Sequence, residues 1–89
     1  MIFLVFTRRG FDELSAAFGR VPSSLWVGGG VLSEMEIAEL RSVGVSITDF
    51  SAPLDGGNPE IVRAALTAIA GHHPAETVWV ESPAGAHAL

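Results

Sequence analysis

The sequence predicts an α/β fold, a small four-stranded parallel sheet with the element order βαβαβαβ. Three observations predict it. Four short apolar runs, at residues 2–6, 25–27, 45–50 and 77–80, are spread along the 89 residues. Helix start and stop signals, not two-residue hairpin turns, separate them. No run approaches the length of a membrane span. Alternation of this kind closes a parallel sheet through right-handed crossovers.

Each element has a local reason. Ile2-Phe3-Leu4-Val5-Phe6 is continuously apolar, which marks a central strand covered on both faces. Thr7-Arg8-Arg9-Gly10 reads as a turn, with Asp12 as N-cap of a short helix to Phe18 and Gly19 as its stop. Leu14, Ala17 and Phe18 are its inward residues. Leu25-Trp26-Val27 is the second strand, followed by Gly28-Gly29-Gly30. Ser33 and Glu36 have the S-x-x-E spacing of a capping box, which fixes the start of the second helix. Ile37, Ala38 and Leu40 give that helix its apolar stripe, and Gly44 stands where a left-handed residue ends it. Residues 45–50 alternate as a half-covered strand does. Asn58-Pro59-Glu60 opens a third helix, with Asn as cap and Pro at the first helical position. Its stripe is Ile61, Ala65, Ala68 and Ile69, and Gly71 is its expected stop. Thr77-Val78-Trp79-Val80 is the last strand. Residues 1–82 are expected to form one domain and residues 83–89 a loosely held tail.

The expected architecture is a three-layer, flavodoxin- or Rossmann-like sheet. The strand order 2-1-3-4 is favoured because it places the most apolar strand inside. It puts the first helix on one face and the other two on the opposite face. The alternative order 1-2-3-4 leaves one face bare. Either order leaves apolar sheet surface uncovered, with Trp26 or Trp79 on it. A chain of 9.3 kDa buries roughly 63% of its unfolded surface, yet 48% of its residues are hydrophobic and mean hydropathy is +0.41. The excess points to an interface, and the simplest partner is a second copy in a homodimer.

Charge and cysteine usage narrow the function classes. Net charge is −5, all five basic residues are arginines, and lysine is absent. Such a surface argues against nucleic acid and anionic membranes as partners. Without cysteine, no disulfide framework or thiolate zinc site exists. The expected location is the cytoplasm.

In open parallel sheets ligands bind beyond the carboxyl ends of the strands. Here that edge is expected to carry Thr7, Arg8 and Arg9, Gly28, Gly29 and Gly30 with Ser33, Asp49 and Ser51, and Glu81 with Ser82. A glycine turn ahead of a helix lets backbone N–H groups approach an anion, and guanidinium binds phosphate or carboxylate. The competing reading of the glycines is geometric, a sharp return from strand to helix. G-x-G-x-x-G is matched only in part, since Ser33 takes the last position, and Glu34 and Glu36 would repel an anion at that helix start. Asp49 and Glu81 are the two carboxylates that acid–base chemistry could use. His72-His73 has no spacing that favours a metal, and no cofactor motif is present. The triple-glycine turn, the capped helix and Gly44-Val45 resemble the turn-helix-strand unit of phosphate-binding (βα) barrels and cobalamin-binding flavodoxin-like domains. That likeness is local, covers about a quarter of the chain, and lacks both the histidine motif and the length of a barrel. Three functional expectations follow. The first is a dimeric binding or regulatory module that takes an anionic small ligand at the strand ends. The second is a protein-interaction domain with no small-molecule ligand. The third is a small enzyme using Asp49 and Glu81.

Overall fold

The computed structural model describes residues 1–81; Ser82 and the expected tail at 83–89 lie outside the described residues. The elements run β1 (Ile2–Val5), α1 (Arg8–Phe18), β2 (Ser24–Val27), α2 (Glu34–Ser42), β3 (Ser46–Asp49), α3 (Pro59–His72) and β4 (Val78–Val80). All strand pairs are parallel. The fold is therefore the expected α/β class, a parallel sheet between helical layers.

Strand order is 3-2-1-4, not the favoured 2-1-3-4. The reason lies in which strands tolerate water. Every residue of β1 is buried, and so are Leu25, Trp26 and Val27 of β2. In β3 only Ile47 is buried, and β4 has no buried residue. Two strands needing cover on both faces take the two inner positions. The half-polar β3 and the three-residue β4 take the edges. An order of 2-1-3-4 would have exposed one side of β2 and wasted an inner place on Ser46, Thr48 and Asp49.

This order also redistributes the helices. Right-handed crossovers from β1 to β2 to β3 progress in one direction and put α1 and α2 on the same face. The crossover from β3 to β4 runs back and puts α3 on the other. Two cores result. Phe3, Val5, Leu25, Val27 and Ile47 meet Phe11 of α1 and Ile37 of α2. Ile2, Leu4, Phe6 and Trp26 meet Ala65 and Ile69 of α3, with Phe50 and Leu54 from the loop before it. The expected pairing of α2 with α3 is thus replaced by α1 with α2, and α3 covers its face with help from that loop. Trp26, expected as a candidate for uncovered surface, is only 6% exposed. It lies between the Phe50 ring and the rings of His72 and His73. Trp79 does remain open, at 55%.

Caps define the helices. Ser33 and Glu36 form the expected reciprocal capping box of α2. Asn58 accepts from Glu60 N–H ahead of Pro59. Gly19 and Gly44 take left-handed φ angles of 71° and 94° at the ends of α1 and α2. Two boundaries differ from expectation. Helix α1 starts four residues before Phe11's successor, at Arg8 and not after Asp12. Helix α3 runs through Gly71 to His72, because His73 N–H still bonds to Ile69 O at 2.7 Å. No helix among the described residues is long and apolar enough to cross a membrane.

Ile69 is fully buried and Met35 is 73% exposed. Ile69→Ala is expected to cost about 2–5 kcal/mol from lost burial and the cavity left behind. Met35→Ala should change stability by less than about 0.5 kcal/mol. Urea denaturation of both variants checks this.

Candidate functional site at the strand ends

With order 3-2-1-4, strand order reverses between β1 and β4. Ligands in open α/β sheets favour the crevice beyond the strand ends at such a reversal. The residues at this point are Thr7, which follows β1 and caps α1, and Glu81, which follows β4. The Glu81 carboxylate fills the crevice. Its Oε1 accepts from Phe6 N–H at 2.7 Å and Thr7 N–H at 3.0 Å, and its Oε2 accepts from Thr7 Oγ1–H at 2.6 Å. Thr7 Oγ1 in turn accepts from Gly10 N–H at 3.0 Å.

This network explains the early start of α1. Arg8 and Arg9 occupy its first turn, which contains no acidic residue. Two cations at the positive end of a helix are unfavourable. Glu81 supplies the missing anion from the far end of the chain. Asp12 and Glu13, one turn on, pair with Arg8 and Arg9 at 3.2 Å each. Asp12 is therefore an ion-pair partner inside α1, not its cap. Gly10 has a steric role here. A Cβ at this position would collide with the Glu81 carboxylate.

Arg8 is engaged further. Its Nη1 donates to Glu36 Oε2 at 2.6 Å, so the first turn of α1 is tied to that of α2. The guanidinium also lies 5.4 Å from the centre of the Phe11 ring. Its two ion-pair partners are thus Asp12 and Glu36. Glu36 accepts from Ser33 N–H and from Arg8, and these bonds hold its carboxyl below the usual carboxylate range; the Ser33 amide is the larger cause. The same ion pair raises the affinity of the Arg8 guanidinium for its proton.

The glycine turn is likewise consumed internally. Gly28 N–H bonds to Val5 O and Gly29 N–H to Ala52 O, both at 2.9 Å. Gly29 lies so close to the 50–52 backbone that a Cβ would stand 2.6 Å from the Ala52 carbonyl carbon. Gly30 has φ +84°. The geometric reading thus has a steric basis at Gly29 and a conformational one at Gly30. Ser33 Oγ accepts from Glu36 N–H at 3.1 Å within the capping box.

Asp49 and Glu81 do not meet. Asp49 ends one edge strand and Glu81 follows the other, with β2 and β1 between. Three strand spacings make that separation about 14 Å. Asp49 lines an open groove of about 520 Å³ beside α2, with Glu34, Arg41 and Thr48. Arg41 Nη2 donates across it to Ile47 O at 2.8 Å. Ser51 is exposed in the loop after β3. His73 Nδ1 lies 2.8 Å from Glu76 Oε2, whose other oxygen accepts from the α-amino group of Met1. Among the described residues, no group of three or more His, Asp or Glu is placed to hold a metal ion.

The Glu81–Thr7–Gly10 contact is what sequence reasoning missed. One signal was present: a helix start with Thr and Gly at cap and third position, two arginines between them, and no acid in the first turn. Such a start lacks an anion that has to come from elsewhere. The site and fold together define a small Rossmann-like α/β unit whose crevice at the strand-order reversal is filled by its own carboxylate. No protein-family model, curated protein or solved structure matches this chain.

Two outcomes follow. Alanine is the better helix former by about 1 kcal/mol, yet Gly10→Ala is expected to destabilise, because it displaces Glu81 from three hydrogen bonds. Glu81→Ala should cost about 1–3 kcal/mol. In that background Gly10→Ala should turn stabilising, and a urea double-mutant cycle reads the change of sign. The second outcome concerns acid. Glu36 binds its proton less tightly folded than unfolded, so its ion pair and cap contribute stability above the ordinary carboxylate pKa of 4.5. That contribution disappears as pH falls from there through the lower folded value. Denaturation at stepped pH should show a shallower acid slope in Glu36→Gln than in the parent.

Proposed function

We propose that this chain is a non-catalytic interaction module that works through an apolar surface, and not through an anionic small ligand. The observation that carries this reading is how the strand-end groups are spent. Arg8, Arg9, the Gly28 and Gly29 amides, Ser33 and Glu81 are each bonded to another part of the same chain. An anion entering at the strand-order reversal would have to displace a carboxylate already held by two amides and a hydroxyl. The catalytic alternative loses its support in the same way, since Asp49 and Glu81 stand at opposite edges of the sheet.

The apolar surface lies at the β4 edge of the face that α1 and α2 cover. Trp79 is 55% exposed and Phe18 53%. Trp79 stands beside Phe3 in the β1–β4 register, and the Phe18 ring meets that of Phe3 edge-on at 5.2 Å. Two open aromatic side chains that both neighbour Phe3 are apolar surface of the kind that marks interaction sites.

A thermal-shift series with inorganic phosphate, a nucleoside triphosphate, a sugar phosphate and magnesium tests the reading. A ligand present at about 100 times its Kd adds about 2.7 kcal/mol to stability, which is many degrees for a chain of this size. The expected result is no shift above about one degree with any of them. A shift of several degrees with any anion would return the function to the strand ends.

A further inference from the structure

The reading above leaves the partner of the apolar edge unnamed. Resting on that reading, we propose that the partner is a second copy of this chain, joined by antiparallel pairing of β4 with its counterpart across a two-fold axis at Trp79.

The backbone of β4 prescribes this register. Ile2 N–H bonds to Thr77 O, and Glu81 N–H bonds to Leu4 O. In a parallel ladder the N–H and C=O of one residue point the same way and alternate residue by residue. Thr77, Trp79 and Glu81 therefore turn their backbone groups toward β1. Val78 and Val80 turn theirs outward, where no strand follows among the described residues. Among the described residues, two donors and two acceptors find no partner, spaced two residues apart. A two-fold axis through Trp79 sets Val78 of one copy opposite Val80 of the other. Such residues exchange both bonds, so four hydrogen bonds satisfy all eight groups of the two copies.

The side chains agree with the backbone. In this register the two Trp79 residues form the pair without mutual hydrogen bonds, whose Cα atoms approach to about 4.5 Å. A two-fold axis perpendicular to the sheet keeps both rings on the same face. Each then covers the open Trp79–Phe3–Phe18 patch of its partner. Thr77 comes opposite Glu81, so no like charges face each other. That is decisive for a chain of net charge −5. The other edge is obstructed, because Arg41 already holds the outward β3 carbonyl of Ile47.

Area sets the strength. About half of each ring is open, or roughly 100 Å² per aromatic side chain. Four rings give roughly 400 Å², well under a standard interface of about 1,200–2,000 Å². The dimer is therefore weak and reversible, with a Kd on the order of 100 µM.

Sedimentation of the full chain from about 5 to 500 µM brackets that constant. The expected mass rises from one copy to two across this range. Added salt should strengthen association by screening the net charge of each copy. Trp79→Glu should weaken it by about ten-fold or more. So should Val80→Pro, which removes an outward donor and leaves the β1 ladder intact; circular dichroism confirms that each variant folds. Met35→Glu, at a more exposed apolar side chain on α2, should leave association unchanged. The chain has no cysteine of its own, so oxidised Trp79→Cys should form a covalent dimer, while Val43→Cys should not. A chain that stays monomeric throughout, or a dimer lost in Met35→Glu and kept in Val80→Pro, overturns the proposal. Monomer with a flat phosphate series removes only the second copy as partner, whereas a phosphate shift removes the apolar-surface reading itself.

Discussion

The burial of β1 on both faces is the constraint from which the architecture follows. Ile2, Leu4 and Phe6 enter one core, and Phe3 and Val5 enter the other. A strand with no face open to water needs a neighbour on each side and helices above and below. With crossovers of one hand, helices reach both faces only if the chain reverses its direction across the sheet. The reversal falls after β3, and α3 returns over β2 and β1 to deliver β4 on the far side. The two helical layers, the edge positions of β3 and β4, and the crevice beside β1 are all consequences of five apolar residues at the start of the chain.

A reversal in strand order opens a crevice, and in many α/β sheets a ligand fills it. Here a side chain does. Glu81 brings to the start of α1 the negative charge that its own first turn lacks. The contact spans 74 residues in sequence, so it ties the last strand to the first helix and closes the fold. The anion-binding character of a helix start has been used for structure. Gly10 is the mark of that use, since only a residue without Cβ leaves the carboxylate its place.

Elements governed by local chemistry were legible in the sequence. The capping box at Ser33 and Glu36, the Asn58-Pro59 start and the glycine stops at Gly19 and Gly44 all fall where the chain predicts them. What depended on distant partners was not. Strand order turned on comparing the water tolerance of β2 with that of β3, and the apolar length of β1 alone does not supply that comparison. The start of α1 has a local cap in Thr7, but the carboxylate that supports it, Glu81, lies in no window around Thr7. At the strand ends, the bonds that these residues make to one another were not visible in the sequence. Arg8 finds Glu36, Gly29 finds Ala52 and Glu81 finds Thr7 through the packing of four loops at one end of the sheet. Gly71 shows the limit of punctuation signals: the pull of Ile69 into the second core carries α3 through it.

The apolar excess of the chain is not spread evenly over what remains. Met35 and Val43 are open at opposite ends of α2, and isolated exposed side chains of this kind are ordinary in small domains. Trp79 and Phe18 differ because both neighbour Phe3, and Trp79 lies on an edge strand whose outward side meets no other strand among the described residues. The opposite edge carries its own guard in Arg41, whose guanidinium occupies the Ile47 carbonyl. Unguarded edges invite pairing, and short strands limit how far it goes. A three-residue edge strand carries too few hydrogen bonds to template open-ended association. The proposed two-fold pair would be self-limiting, because it would leave neither copy that edge to offer.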